Sequence, residues 1–254
     1  MKPVFGRTNA DIAAEWDRAA EYRLKSLLDG ADKTYFEIIV PSILDLINQI
    51  LVAHAPKSCA CLDVGCGVGH LAYLINKTFP NSIVDAIDIS GTSVEVAKRT
   101  FTSPNVLYFW SSLEDFLAEK QYDIITANMF LMNCLDYKSA LTKFNRMLKP
   151  GGSFIVTVPH PCFWPRYWNY EIADWFKYMS EIGIETNFRT SSLGEASFTT
   201  THFHRPIESY LKAIGDAAFI LYSVRELADN LPIGPDQLKL PRHLLLSGFK
   251  MKDV

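Results

Sequence analysis

The sequence predicts an α/β domain with a mostly parallel β-sheet and helices on both faces. Two observations carry this expectation. From residue 57 to 159, short runs rich in Val, Ile and aromatic residues alternate with stretches of helical periodicity. Strands alternating with helices at this spacing pair in parallel through right-handed crossovers. Between the first such strand and the first such helix lies "CLDVGCGVGHLAYLI", Cys61 to Ile75, where three glycines at alternate positions follow an acid, Asp63.

The elements read in order as follows. Asn9 to Leu28 form a helix capped near Asn9 or Asp11, and a second helix begins at Pro41, with an apolar stripe of Ile43, Leu44, Ile47 and Leu51. Then come "SCACLDVG" as strand, "GHLAYLINKTF" as helix, "SIVDAIDIS" as strand and "SVEVAKRTF" as helix. "NVLYFWSS" is a strand, "LEDFLAE" a short helix, "YDIITANM" a strand, and "KSALTKFNRML" a helix stopped by "KPGG". "SFIVTVP" is the fifth strand. Residues 160–205 break the rhythm with an aromatic-rich insertion and no βα unit, after which a helix (206–219), a strand (220–227), a Pro-rich loop and a last strand (243–250) restore it.

A chain of 254 residues can bury a sizeable core as one domain. Its 48% apolar and 21% charged residues are those of an ordinary globular protein. The net charge of -3 and the lack of any Lys/Arg cluster beyond Lys98–Arg99 exclude a polyanion as obligate partner, so no nucleic acid is expected. Five cysteines, Cys59, Cys61, Cys66, Cys134 and Cys162, are odd in number and lack CxxC spacing. They read as reduced thiols of a cytoplasmic protein, with neither a disulfide framework nor a zinc site. The N-terminus has no apolar h-region, and the apolar run Phe36 to Ala53 is broken by Glu37, Pro41, Asp45, Asn48 and Gln49. That run is amphipathic, and no membrane partner is expected. Monomer and homodimer both stay open.

Glycine tolerates positive φ and lets backbone approach a ligand closely, and a glycine turn opening a helix presents bare N–H groups. A nucleotide-type cofactor site is the first expectation. A dinucleotide fingerprint is G-x-G-x-x-G, whereas here the pattern is G-x-G-x-G with His70 in the sixth slot. Asp63 would repel a pyrophosphate and suits a cation.

On these residues the chain resembles the class I S-adenosylmethionine-dependent methyltransferases. "LDVGCGVGH" is similar to their first motif, and "AIDIS", "WSSLEDF", "YDIITANMFL" and "LKPGGSFIVTVP" follow in family order. The resemblance implies a Rossmann-like, mostly parallel seven-stranded sheet whose last strand is antiparallel. It implies one methyltransferase domain over 1–254, with an N-terminal helical cap (1–56), a cofactor-binding core (57–159), a lid insertion (160–205) and the C-terminal part of the core (206–254). It further implies S-adenosylmethionine as cofactor, S-adenosylhomocysteine as product, and no metal. Gly65, Gly67 and Gly69 would pass beneath the amino-acid part of the cofactor, with Cys66 among them as a small packing residue. Asp63 would act on the ammonium, directly or through water, and Asp88 would accept from the ribose hydroxyls. Ile89, Ser112 and Leu113 would frame the adenine; the family often has Asp where Ser112 stands, which makes that contact weaker or backbone-borne. Asn128 and Met129 would lie by the methionine moiety. Read as residues alone, the glycines equally suit a tight turn, Asp88 a helix cap, and Asn128 a turn.

Methyl transfer from a sulfonium asks mainly for alignment of the acceptor, and for a base where the acceptor must lose a proton. His160, in "VPHPCFWP" at the end of the fifth strand, is the candidate base; Pro159-His160-Pro161 as a rigid turn is the alternative. Family members with a His shortly after the fourth strand find no counterpart in "FLMNCLD". Trp164, His202 and His204 from the insertion, and Tyr22 and Tyr35 from the N-terminal segment, are candidates for the acceptor pocket. The expected activity is O- or N-methylation of a small molecule. A tRNA- or protein-directed methyltransferase, a NAD-dependent oxidoreductase and a non-catalytic cofactor-binding protein remain as alternatives.

Overall fold

In the computed structural model, residues 1–54, 58–189, 195–228 and 240–252 are described. The chain begins with a short strand, β1 (Lys2–Val4), and the long helix α1 (Asn9–Leu28). Thr8 caps α1: its Oγ1 accepts from the Asp11 N–H at 3.2 Å while Asp11 accepts from the Thr8 N–H at 2.8 Å, a reciprocal box that satisfies two orphan donors. A π-helical turn (Tyr35–Ile39) leads into α2 (Val40–His54). The stretch Tyr35–Ala53 is long and apolar enough to cross a membrane, yet its Ile39, Ile43, Leu46 and Ile47 are buried in the core.

The βα alternation follows as the sequence predicts: β2 (Cys59–Val64), α3 (His70–Thr78), β3 (Ser82–Asp88), α4 (Gly91–Thr100), β4 (Val106–Trp110), β5 (Tyr122–Asn128), α5 (Tyr137–Met147) and β6 (Leu148–Pro159). The expected helix at 113–119 does not form. Ser112 Oγ accepts from the Asp115 N–H at 3.1 Å, so the segment has a cap but forms only turns. Its buried Leu113 and Phe116 anchor it in this turn conformation.

After β6 come a single turn, α6 (Trp164–Tyr167), then β7 (Ile182–Arg189) and β8 (Glu195–His204). Helix α7 (Ile207–Asp216), β9 (Phe219–Leu227) and β10 (His243–Lys250) complete the chain. The expected Pro-rich loop between the last two strands falls largely on 229–239, outside the described residues.

Seven strands form one sheet in the order β4-β3-β2-β5-β6-β10-β9. All pairs are parallel except those of β10, which runs antiparallel to β6 and β9. This is the Rossmann-like α/β arrangement, with the chain reversing direction at β2. The central strands are buried on both faces, hence their near-continuous apolar sequences. Cys61, Val84 and Ile124 point to a core shared with α2, α3 and α4, while Leu62, Ile125 and Phe154 point to one shared with α5 and α7. Each fully buried Ile or Leu contributes about 1.5–3 kcal/mol of transfer free energy.

The insertion is not merely aromatic filler. β7 and β8 form an antiparallel hairpin, and β1 pairs with β7 to complete a three-stranded sheet. The N-terminal segment and the insertion are therefore stitched together. The buried Glu15 carboxylate on α1 accepts from the Thr201 N–H at 2.7 Å and from its Oγ1 at 2.9 Å. Arg7 bridges to Glu185 on β7 at 2.5 Å.

Candidate active site

The carboxyl edge of the large sheet, α1 and the underside of the small sheet enclose a cavity of about 720 Å³. Such edges beside the point where strand order reverses are where open α/β sheets bind ligands.

The glycine turn forms its floor. Gly65, Gly67 and Gly69 all adopt left-handed φ, at 69°, 54° and 85°. They do different work. A Cβ on Gly65 would lie 2.7 Å from the Phe130 ring, whereas one on Gly67 would meet no atom within 4 Å. Gly65, Cys66 and Gly67 line the cavity. Gly69 does not: it starts α3, and a Cβ there would sit 2.6 Å from both Ala97 and Tyr108, so its role is close packing of α3 on α4 and β4.

Two buried carboxylates flank the turn. Asp63, near the end of β2, accepts from Thr126 Oγ1 at 2.7 Å, and its Oδ2 has no hydrogen-bond partner. Burial, opposed by the Thr126 bond and reinforced by the Asp88 charge, pushes its carboxyl up to about 7. Asp88, ending β3, accepts from the Gly67 N–H at 2.7 Å and from the Ser90 N–H at 2.8 Å. Burial raises it to about 6 despite those bonds. Ser90 Oγ accepts from Ser93, so the cap of α4 is Ser90 and not Asp88. An enclosed carboxylate oxygen without a partner fits a cation, and a carboxylate with two backbone donors retains lone pairs for further hydroxyls. The residues present thus fit a cationic, ribose-bearing ligand.

Ile89, Leu113, Asn128 and Met129 line the cavity as expected, but Ser112 does not. Its hydroxyl is held by Asp115, and Ser111 takes its place on the wall. Asn128 Oδ1 accepts from Thr157 Oγ1 at 2.6 Å, which fixes its amide at the end of β5.

His160 lies outside the cavity wall. It is buried, with Nε2 2.9 Å from the Glu226 carboxylate and Nδ1 accepting from the Cys162 N–H at 3.2 Å. Both ring nitrogens are engaged, and the candidate base is a structural histidine. Tyr22 packs edge-on against Phe188 and Phe198 and does not reach the cavity. His204 contacts the Tyr178 carbonyl oxygen at 2.8 Å and does not line the cavity. Among the described residues no three His, Cys, Asp or Glu side chains gather as a metal site.

Tyr35, Trp164 and His202 do line the cavity. The Tyr35 hydroxyl lies 3.0 Å from His70 Nδ1, and Arg23 covers its ring at 4.9 Å. Burial and the neighbouring Arg23 push the His70 imidazole down to about 4. Sequence reasoning missed Arg23, Asp32, Arg242 and His243, all on the wall. Arg23 pairs with Asp32, and Arg242 donates to Thr34 Oγ1 at 3.1 Å while stacking on Tyr167. Arg23 is hidden in a helix that reads as surface, and His243 at the head of a strand that reads as core.

The residues that carry the turn and the two acids also carry the similarity to known proteins. Residues 62–156 match a family profile described as a methyltransferase domain. The chain is 28% identical over 183 residues to a malonyl-[acyl-carrier protein] O-methyltransferase of Priestia megaterium, covering 72% of this chain and 64% of that protein. It is 35% identical over 102 residues to a demethylmenaquinone methyltransferase of Staphylococcus aureus, covering 39% of this chain and 42% of that one. It thus spans less than two thirds of both curated relatives. A Listeria monocytogenes structure assigned as an S-adenosylmethionine-dependent methyltransferase superposes with a TM-score of 0.59 at 26% identity, over 78% of this chain and 94% of that one. A Burkholderia thailandensis 1,6-didemethyltoxoflavin N1-methyltransferase shares the fold at 16% identity and a TM-score of 0.56, over 98% and 94%. Over residues 62–156, beginning at the strand that leads into the glycine turn, the chain carries a match to a methyltransferase domain, and its strand order is that of the S-adenosylmethionine-dependent methyltransferases it resembles.

Proposed function

We propose that the protein transfers a methyl group from S-adenosylmethionine to a small-molecule acceptor, at oxygen or nitrogen, by in-line displacement. The unpartnered Asp63 Oδ2 beside an open glycine turn carries this reading, because a buried carboxylate oxygen calls for a positively charged group. Asp63 would hold the ammonium of the donor, directly or through water, and Asp88 its ribose hydroxyls. Gly65, Cys66 and Gly67 would offer the backbone beneath its amino-acid part. Ile89, Ser111 and Leu113 would frame the adenine, with Asn128 and Met129 beside the methionine portion. When bound, the donor supplies an electrophilic methyl on a sulfonium whose departing group is a neutral thioether.

The chain's own contribution is enclosure and alignment. Holding two reactants in attack geometry is worth roughly 7–11 kcal/mol, so no metal is needed. The cap and lid, joined through β1 and Glu15, would exclude water from above. A roofed cavity of about 720 Å³ and a net charge of -3 support a small acceptor over a nucleic acid or membrane surface. The relative named as an O-methyltransferase supports oxygen as one acceptor atom. The thiols are free, including the exposed Cys162, which supports a cytoplasmic setting.

The test incubates the protein with methyl-deuterated S-adenosylmethionine and a fractionated metabolite extract. Mass spectrometry should find S-adenosylhomocysteine together with one small molecule carrying the deuterated methyl. Labelling confined to tRNA or protein would contradict the reading.

A further inference from the structure

Buried polar atoms are nearly always hydrogen-bonded, so each exception asks for an explanation. Among the described residues, such atoms on the wall of the large cavity include Asp63 Oδ2, Trp164 Nε1, His202 Nε2 and His243 Nδ1. The first is accounted for by the donor. The other three are ring nitrogens on three separate elements that no part of that reading uses.

Their placement is rigid. His202 is 5% exposed and sits between two pinned neighbours on β8. Thr201 is held by Glu15, and the Phe203 N–H donates at 2.7 Å to the carbonyl of Met132, in the loop after β5. His243, 6% exposed, opens β10 at the carboxyl edge of the sheet. Trp164 begins α6, its ring centroid 5.4 Å from that of His243.

Their chemistry is uncharged. The indole N–H donates only, and each imidazole donates or accepts by tautomer. Burial and the His204 charge push His202 down to about 3, and burial with Arg242 does the same for His243. The wall cations are engaged: Arg23 pairs with Asp32, and Arg242 donates to Thr34 Oγ1 and covers the Tyr167 ring. Flat apolar walls come from Trp16, Phe130, Tyr167 and Phe188. Apolar faces with a few placed polar groups are how small-ligand pockets set orientation.

Resting on the methyl-transfer reading, we infer that Trp164, His202 and His243 form the acceptor subsite, and that the acceptor is a flat, uncharged ring system bearing hydroxyl or ring-nitrogen groups. A carboxylate or an ammonium would lose its hydration there while the wall charges are already engaged, Arg23 with Asp32, Arg242 with Thr34 and Tyr167, and Asp63 with the donor.

The experiment titrates the wild-type protein, saturated with S-adenosylhomocysteine, with four probes of one shape: 2-naphthol, 2-naphthoate, 2-naphthylmethylammonium and naphthalene. Naphthol should bind at least about tenfold tighter than each of the others, one hydrogen bond's worth of affinity or more. Trp164→Phe and His202→Phe should each weaken naphthol by about tenfold and leave S-adenosylhomocysteine affinity within twofold. Both variants should also melt higher than wild type, because an apolar ring replaces an unpaired buried nitrogen. Retained S-adenosylhomocysteine binding checks their folding, and the probe series on wild type needs no variant. Preference for naphthoate or the ammonium, or equal naphthol binding by wild type and variants, overturns this assignment alone. Failure of S-adenosylhomocysteine to bind overturns the donor reading, and the assignment with it.

Discussion

The Asp88 carboxylate reaches back across the β2–α3 turn: its Oδ2 accepts from the Gly67 N–H at 2.7 Å while its Oδ1 accepts from the Ser90 N–H at 2.8 Å. The acid expected at the ribose is thus also the clamp that sets the glycine turn. Asp88→Asn keeps one acceptor oxygen but removes the charge. It should weaken S-adenosylhomocysteine binding by about 1.5–3 kcal/mol, the scale of hydrogen bonds to a charged group. Calorimetry reads the change; unaltered affinity would leave Asp88 as a prop of the turn and nothing more.

Asp63 makes the ligand-free protein sensitive to pH. Its folded carboxyl stands at about 7 against an ordinary value of 3.8, so folding favours the protonated form. The stability it contributes is full below about pH 4 and is lost as pH rises toward 7. Asp88, raised to about 6, acts in the same direction over a lower window. The melting temperature of ligand-free protein should therefore fall from pH 5 to pH 8. Asp63→Asn should flatten that fall, and S-adenosylmethionine should raise the wild-type value most at pH 8. A variant whose profile matches wild type would refute this origin of the pH dependence.

Glu15 holds α1 to the small sheet through two bonds to Thr201. Glu15→Ala leaves a buried N–H and hydroxyl unpaired, at a cost of about 1–3 kcal/mol for each unsatisfied group. Amide exchange in β7 and β8 should accelerate before that in β2 or β5. Uniform exchange across both sheets would show that the small and large sheets open as one unit.

His160 provides the contrast. With Nδ1 accepting from Cys162 and Nε2 beside Glu226, its replacement by Ala should lower stability by about 1–3 kcal/mol. S-adenosylhomocysteine and naphthol affinities should stay within about threefold. A collapse of turnover in a variant that binds both normally would return His160 to catalysis.

The parallel sheet was legible because local patterns repeat: apolar runs on β2, β3 and β5 alternate with the stripes of α3, α4 and α5, and the glycine turn marks where cofactor chemistry begins. The small sheet was not. β1 is three residues long and pairs with β7, with Lys2 opposite Glu185, and no local signal reports a partner so distant. Ser112 was misplaced by one position because alternation at a strand's end does not say where the last inward residue falls. His160 drew attention as a polar residue at the carboxyl edge, but burial and its two partners are properties of the folded chain. His243 escaped for the opposite reason, lying at the head of a run, "HLLLSGFK", that reads only as core.

The most direct test of the account is calorimetric titration of the ligand-free protein with S-adenosylhomocysteine, with NADH as the control. The account predicts one site for the first, none for the second, and a stabilisation approaching 2.7 kcal/mol, roughly, at a hundredfold excess over Kd. A folded protein that takes up NADH, or that gives neither heat nor a thermal shift with S-adenosylhomocysteine, would contradict it.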